Sequence, residues 1–351
     1  NITNYVALIK NVSSKTMFFN LKIINSSFIK FFIKLYLKYV EKDFYKYVNT
    51  SAYDIISSFT DNEELRAVLW GQFGDYGPTP KKANFFIHAS IVNHYLEGGY
   101  FPRGGPGVIA KSIIPVIEKS GGRVLVDKRV SRLLFNEKKT KAIGVVMENG
   151  DKIYAENIIS NIGIDNTFKR LIEPTKELEH HINPFLELSE KVGFSTSFIY
   201  CFVNLEGTVD ELGLRGSNLW IYPNRDYDKL LDNFEKNIFV NDMPLFIGSS
   251  SSKDSKWEEK YPDKCNAIIL TMAKKEWFNE WEDDKCMKRR GEYKEIKEAI
   301  AIRMLEEGLY KYYPKTEGKV LDYEMGTPLT NQFYLGSMNG EGYGLNSTND
   351  R

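Results

Sequence analysis

Two histidines, His88 and His94, fall on one expected helix, Asn84 to Leu96. Histidine titrates near neutrality and can donate a proton, so both are candidate acids. A histidine on a half-apolar helix also serves in ordinary packing, and the sequence leaves that alternative open. His180-His181, beside acidic residues and Pro184, reads as surface. Directly after the helix runs Gly98-Gly99-Tyr100-Phe101-Pro102-Arg103-Gly104-Gly105-Pro106-Gly107. Glycines let backbone N–H groups approach a ligand, and the apolar helix expected at Val108 to Lys119 offers a positive N-terminus. A second glycine corner, Ser160-Asn161-Ile162-Gly163, closes a meander that spans Val124 to Ile159. This order reads as the edge of a nucleotide-cofactor site. It is not a Rossmann start, because no Gly-x-Gly-x-x-Gly follows a strand. A plain helix-hairpin unit with glycine turns fits the same spacing.

The elements that must position these residues are legible in outline. In the meander, Ile143, Val145 and Met147 alternate with Gly144, Val146 and Glu148, and Asn149-Gly150 is a strong hairpin signal. Asn1 to Thr50 is helical in pattern. Lys30, Lys34, Lys38, Lys42 and Lys46 recur every four residues, which stacks them on one helix face opposite Phe28, Phe31, Phe32, Leu35, Tyr36 and Tyr39. Such a face is either solvated lysine over a packed core or a basic amphipathic helix on an anionic membrane surface. Thr60 with Glu63 reads as a capping box before Leu65, Val68 and Leu69. Asp165 to Asn183 reads as helix and crossover, punctuated by Pro174 and Pro184. Apolar runs at Thr196–Val203, Leu219–Tyr222, Leu245–Ser250 and Ala267–Ala273 predict an antiparallel or mixed sheet. Trp277, Phe278 and Trp281 share a helical face, Tyr293 to Tyr313 is a long helix packed on two sides, and Lys319 to Glu324 is a returning strand.

Composition sets the outer bounds. The 351 residues can bury a large core, and 42% apolar content is globular. Net charge is zero, so there is no global pull toward nucleic acid. Cys201, Cys265 and Cys286 are too few and scattered for a disulfide scaffold or zinc site, and no metal cluster stands at ligand spacing. No apolar run approaches a membrane span.

The segments Tyr100-Phe101-Pro102-Arg103-Gly104-Gly105, Ile114-Pro115-Val116-Ile117, Gly121-Gly122 and Ile159-Ser160-Asn161-Ile162-Gly163 resemble the phytoene desaturase and carotenoid isomerase superfamily of flavoproteins. Asn93-His94-Tyr95, Trp277-Phe278 with Trp281, and Thr327 to Leu335 narrow the resemblance to its retinol-saturating family. The resemblance implies an α/β (α+β) fragment of a two-domain flavoprotein. The family's N-terminal dinucleotide-binding βαβ unit and C-terminal flavin-closing segment would lie outside it, leaving the fragment inactive and unable to hold flavin tightly. It implies a helical part of the substrate domain at 1–97, a flavin-side segment at 98–173, a substrate domain at 174–330 and a return toward the flavin at 331–351.

The activity so implied is FAD-dependent saturation of a conjugated C=C bond of a retinoid, all-trans-retinol to 13,14-dihydroretinol. NAD(P)H is a candidate electron source and the endoplasmic reticulum membrane the implied location. Residues matching the flavin edge are Arg103, Gly104, Gly105, Val130, Ser160, Asn161, Ile162 and Gly163. Tyr100, Phe101, Phe333 and Tyr334 would meet the polyene. A dry aromatic tunnel suits that substrate, and 14% of the residues are aromatic. Carbon protonation needs an acid, for which His88, His94, Tyr100 and Tyr334 are candidates; an unaided tyrosine is a weak one. Two rivals stand: a carotenoid desaturase or isomerase on the same fold, and a non-enzymatic prenyl-lipid escort on a related one.

Overall fold

The computed structural model describes residues 2–24, 26–239 and 242–348. Asn1 and residues 349–351, on which part of the expectation of a fragment rests, lie outside the described residues. Two antiparallel sheets organise the chain. The first is a meander of β1 (Val130–Phe135), β2 (Ala142–Met147) and β3 (Lys152–Tyr154). Its β2–β3 turn is the expected Asn149-Gly150 hairpin, with Gly150 at φ +89°. The second contains β4 (Ser197–Glu206), β5 (Leu219–Ile221), β6 (Leu245–Gly248), β7 (Lys264–Ala273) and β8 (Val320–Gly326), in the order β5-β6-β7-β4-β8. Every pairing in it is antiparallel, which decides between the two sheet types the sequence allows.

The five-stranded sheet has two unlike faces because side chains alternate along each strand. Ile199, Cys201, Val203, Leu205, Ile247 and Ile269 point to one side and are fully buried. The helix Tyr293–Arg303 and the π-turn Met304–Tyr310 cover them, with Ile300, Met304 and Leu309 at the contact. The expected single helix at Tyr293 to Tyr313 thus changes winding at Met304. Gly308 lies flat on Leu245 in that π-turn, and an added Cβ would stand 3.0 Å from the Leu245 Cδ1. Phe278 and Trp281, from the 3-10 turn Lys275–Trp281, complete this core. On the opposite face lie Tyr200, Phe202, Trp220, Phe246 and Leu270.

The N-terminal residues form a helical layer: α1 (Ile2–Ser14), α2 (Ser27–Tyr39), α3 (Lys42–Asn49), α4 (Ala52–Ser57), α5 (Glu63–Trp70) and α6 (Phe85–Tyr95). Its core joins Ile9, Ile56, Phe73 and Phe85 to Phe198 and Met272 of the sheet and to Leu230 and Leu231. The lysine stripe does not run on one helix. The chain breaks after Tyr39, leaving Lys30, Lys34 and Lys38 on α2 and Lys42 and Lys46 on α3. The cap of α5 is Asn62 rather than Thr60. The Asn62 side chain accepts from the Leu65 N–H at 3.0 Å, and Thr60 Oγ1 accepts from the Asn62 N–H.

The glycine loop leads into α7 (Gly107–Lys119), of which no residue is buried. The crossover after the meander is α8 (Lys176–Val192), which runs through Pro184 instead of stopping there. Pro184 faces solvent, where water can satisfy the carbonyl that its missing N–H leaves free. Leu178 and Ile182 of α8 pack with Ile172 under Leu133 and Phe135 of β1.

Candidate functional site

The site is built around the aromatic face of the larger sheet. Pair register places Trp220, Phe246, Leu270 and Tyr200 in one row across β5, β6, β7 and β4, ending at Gly326 of β8. Tyr200 and Phe202 stack with centroids 6.0 Å apart and planes 8° apart. Trp220 stacks on Tyr222 at 6.1 Å and meets the edge of Phe246 at 4.8 Å. Phe202 is 48% exposed, whereas Tyr200, Tyr222 and Leu270 pack against the core of the helical layer, so this face is open at Phe202 and partly covered along the rest of the row. The 3-10 turn Gly71–Asp75 covers part of the row. Gly74 is pressed so closely on the Trp220 ring that a Cβ there would overlap it. The Tyr222 and Tyr343 hydroxyls donate to the carbonyls of Gly71 and Gly74, at 2.9 and 2.7 Å. Burial pushes both phenols well above their ordinary range, so they act as fixed neutral donors. Burial also raises the Asp75 carboxyl among them, opposed by its hydrogen bond from Gln72.

Two joints bring the glycine-rich segments to opposite ends of β4. The loop from Ser249 to Lys256 leaves β6 near the end of β4. Its backbone is fixed by Asn266, whose Oδ1 accepts from the Ser250 and Ser251 N–H groups, both at 3.0 Å. Asp254 of that loop accepts from the Gly104 N–H at 2.8 Å, and Arg103 Nε donates to Ser255 Oγ at 3.0 Å. The N–H groups of Gly104 and Lys256 hold the Asp254 carboxyl below its usual range. At the other end stands the helix Pro328–Leu335, whose Asn331 donates to the Tyr200 hydroxyl at 3.3 Å. The buried Asn166 amide donates to Ile162 O at 2.8 Å and to Gly336 O at 2.7 Å, tying the Ser160–Gly163 corner to the end of that helix.

Among the sequence candidates, His88 is fully buried between two tyrosines and faces no open surface. Tyr5 and Tyr76 hydroxyls lie 2.7 Å from its Nε2 and 3.0 Å from its Nδ1. Burial pushes its pKa down to about 3, so it is neutral and serves packing, the alternative that the sequence left open. His94 is exposed and makes an edge contact with Tyr95. Tyr100 is 91% exposed, and Phe101 beside it is half-buried. Phe333 and Tyr334 are exposed with their rings edge to face, 4.8 Å apart. They share a neighbourhood with Ser160–Gly163 through Asn166; Tyr100 and Phe101 lie with Arg103 instead. Ser160 Oγ pairs with Thr167 Oγ1 at 2.6 Å, Asn161 is exposed, and Val130 is a half-buried residue paired with Met147.

A dinucleotide cofactor would find suitable backbone here. Gly105 and Gly163 hold φ of +84° and +91°, and Gly163 has open space where a side chain would stand. The first turn of α7 carries no acidic residue and no side-chain cap, leaving a positive end for an anion. Several N–H groups here are already held: Gly104 donates to Asp254, Gly105 to Pro102 O and Val108 to Gly105 O. Sequence reasoning missed Asp254, Asn166 and the aromatic row. It also missed Lys253, which lies over Gly248 and donates to Asn218 Oδ1 at 2.7 Å. Burial pushes the Lys253 ammonium below its ordinary range. Asp254→Ala is expected to free the glycine loop: hydrogen exchange at the Gly104 amide accelerates while β4 and β7 keep their protection. Unchanged exchange at Gly104 would show that the joint does not hold the loop.

No family model matches the chain. An all-trans-retinol 13,14-reductase of Danio rerio is 37% identical over 98% of this chain and 57% of its own length. A second Danio rerio protein, named an inactive all-trans-retinol 13,14-reductase, is 28% identical over 88% of this chain and 51% of its own. The chloroplastic prolycopene isomerase of Daucus carota is 25% identical over 82% and 43%. The chain thus spans about half the length of the curated relatives it matches. Among solved structures, a putrescine oxidase double mutant aligns over 80% of this chain and 54% of its own, at 13% identity and TM-score 0.45, a likeness too low to bear on the reading. By sequence, the chain is similar to the all-trans-retinol 13,14-reductases and, more distantly, to the prolycopene isomerases.

Proposed function

We propose that this chain is the substrate-side part of an oxidoreductase that saturates a conjugated C=C bond of a retinoid, with FAD as its cofactor. The observation that carries the reading is the aromatic row Trp220–Phe246–Leu270–Tyr200. A rigid, partly open sheet face of rings offers a long apolar surface to a flat polyene, with few competing polar groups. The names of the relatives supply the substrate class. The flavin rests on the family resemblance, and the open space at Gly163 and the uncapped start of α7 are compatible with it. Bound there, flavin would supply the hydride.

The chain's own residues would do the rest. The sheet face would orient the polyene and exclude water, and Asp254 and Asn166 would keep the two glycine corners at its ends. In this reading 98–173 is the flavin-facing part and 174–330 the substrate part. NAD(P)H as electron source and the endoplasmic reticulum as location rest on the resemblance alone.

The test is anaerobic. The protein is purified together with the N-terminal βαβ unit and C-terminal flavin-closing segment that the resemblance implies, its flavin is reduced, all-trans-retinol is added, and the flavin absorption and product mass are followed together. Reoxidation with a product two hydrogens heavier is the expected result. A bound flavin that retinol never reoxidises would move the substrate to a carotenoid, the chemistry named in the Daucus carota relative. A protein that purifies without flavin and turns over neither polyene would overturn the enzyme reading in favour of a lipid carrier.

A further inference from the structure

α2 stands apart from every other long helix of the N-terminal layer, because none of its residues is buried. Its sequence nevertheless holds few polar residues. Phe28, Ile29, Phe31, Phe32, Tyr36 and Tyr39 are 44% to 72% exposed. At 100° per residue these side chains fill an arc of about 160°. Leu37, the α2 residue packed against the helical core, points to the opposite side of the helix. The aromatic arc is therefore held outward by the way the helix is seated. Lys30, Lys34 and Lys38 form a stripe along one edge of the arc, and α2 contains no Asp or Glu.

We propose that α2 is an interfacial anchor that lies flat on an anionic lipid bilayer, with its aromatic arc among the acyl chains and headgroups and its lysines on lipid phosphates. Three features select this occupant. Tyrosine rings prefer the boundary between hydrocarbon and water, and here Tyr36 and Tyr39 share one arc with the wholly apolar Phe28, Phe31 and Phe32. The lysine stripe complements negative charge, and no acid on the helix opposes it. A second copy of the chain is a poorer fit, because pairing α2 with itself would bring two unneutralised lysine stripes together. The helix is about 20 Å long, which suits lying in the surface plane. No helix among the described residues is long and apolar enough to cross a membrane. The inference is independent of the catalytic reading, since it concerns an element remote in sequence from the aromatic sheet.

The experiment is vesicle co-sedimentation of the purified protein, using phosphatidylcholine alone and phosphatidylcholine mixed with phosphatidylserine. Each lysine near an anionic surface contributes about fivefold in affinity, so three contribute on the order of a hundredfold. Binding to the mixed vesicles should fall by that factor in the triple variant Lys30→Gln, Lys34→Gln, Lys38→Gln. Phe28→Ser with Phe32→Ser should abolish binding to both vesicle types. Since α2 buries no side chain, circular dichroism and the thermal midpoint should stay at wild-type values in both variants. As a second measurement, Phe32→Trp should gain fluorescence that bromine-labelled lipid quenches. Wild-type protein that ignores both vesicles would overturn the proposal. So would vesicle binding that neither variant weakens, or aromatic-dependent self-association without lipid binding.

Discussion

Replacing His88 by alanine is expected to cost about 5 kcal/mol of folding stability, read as a lower urea midpoint. Among the described residues, the imidazole is the hydrogen-bond partner of both the Tyr5 and Tyr76 hydroxyls, at 2.7 and 3.0 Å. A neutral imidazole donates from one nitrogen and accepts at the other, so it serves both at once. Alanine leaves two buried hydroxyls unpaired, each costing about 1–3 kcal/mol, and adds a cavity between α1 and α6. His88→Gln keeps one donor and one acceptor, and should cost only about 1–2 kcal/mol.

The same residue makes stability depend on pH. Burial lowers the His88 pKa from 6.5 in the unfolded chain to about 3 in the folded one. Between those values the unfolded chain binds the extra proton, so stability is complete above pH 6.5 and falls as pH drops toward 3. From about pH 7.5 to about pH 5 the loss from this group is about 2 kcal/mol. His88→Gln should lack that component. Equal losses in the wild type and the glutamine variant would remove His88 as the source.

What the sequence could convey depended on how far each interaction reaches along the chain. The strands around Ile199, Ile247 and Ile269 announce themselves as apolar runs, and the Asn149-Gly150 turn is encoded in two adjacent residues. The difference between the two faces of the sheet was not legible. Tyr200 and Phe202 read as strand residues like Ile199 and Cys201, because a strand apolar on both faces shows no polar alternation. The helix Tyr293–Arg303 covers one face and the N-terminal helical layer covers part of the other, and neither partner can be read from the strand itself. The joints were hidden for a second reason. Asp254 meets Gly104 across 150 residues, and Asn166 meets Gly336 across 170. Neither pair has a local period to betray it. His88 shows the same limit from the other side: its type suggested chemistry, and only the burial supplied by α1 and Tyr76 assigns it to packing. Local errors were smaller in kind. Asn62 outcompeted Thr60 because it stands directly before the first helical residue, the preferred capping position.

The glycine-rich segment Gly336–Gly344 yields the second large effect, because its glycines are not equivalent. Gly340 sits at φ +68°, and an added Cβ would stand 2.6 Å from both the Cβ and the carbonyl oxygen of Pro328. Rigid backbone cannot give way as a side chain can. Gly340→Ala therefore combines left-handed strain, about 1–2 kcal/mol, with displacement of the chain, for a total of about 3–5 kcal/mol. Gly344 has a similar φ of +70° but open space around it, so Gly344→Ala should cost only the about 1–2 kcal/mol of strain. The contrast reaches the site. Asn331 donates to Gly340 O at 3.1 Å and to the Tyr200 hydroxyl at 3.3 Å, while the Gly342 N–H donates to Thr196 O at 3.0 Å. Moving Gly340 thus loosens the amide that fixes one end of the aromatic row. Urea unfolding of the two variants measures the strain, and hydrogen exchange at Gly342 locates it. Equal stability losses in Gly340→Ala and Gly344→Ala would mean that contact with Pro328 does not hold this segment against the sheet. A larger loss at Gly340, with faster exchange at Gly342, ties the position of Tyr200 to a single glycine more than a hundred residues away.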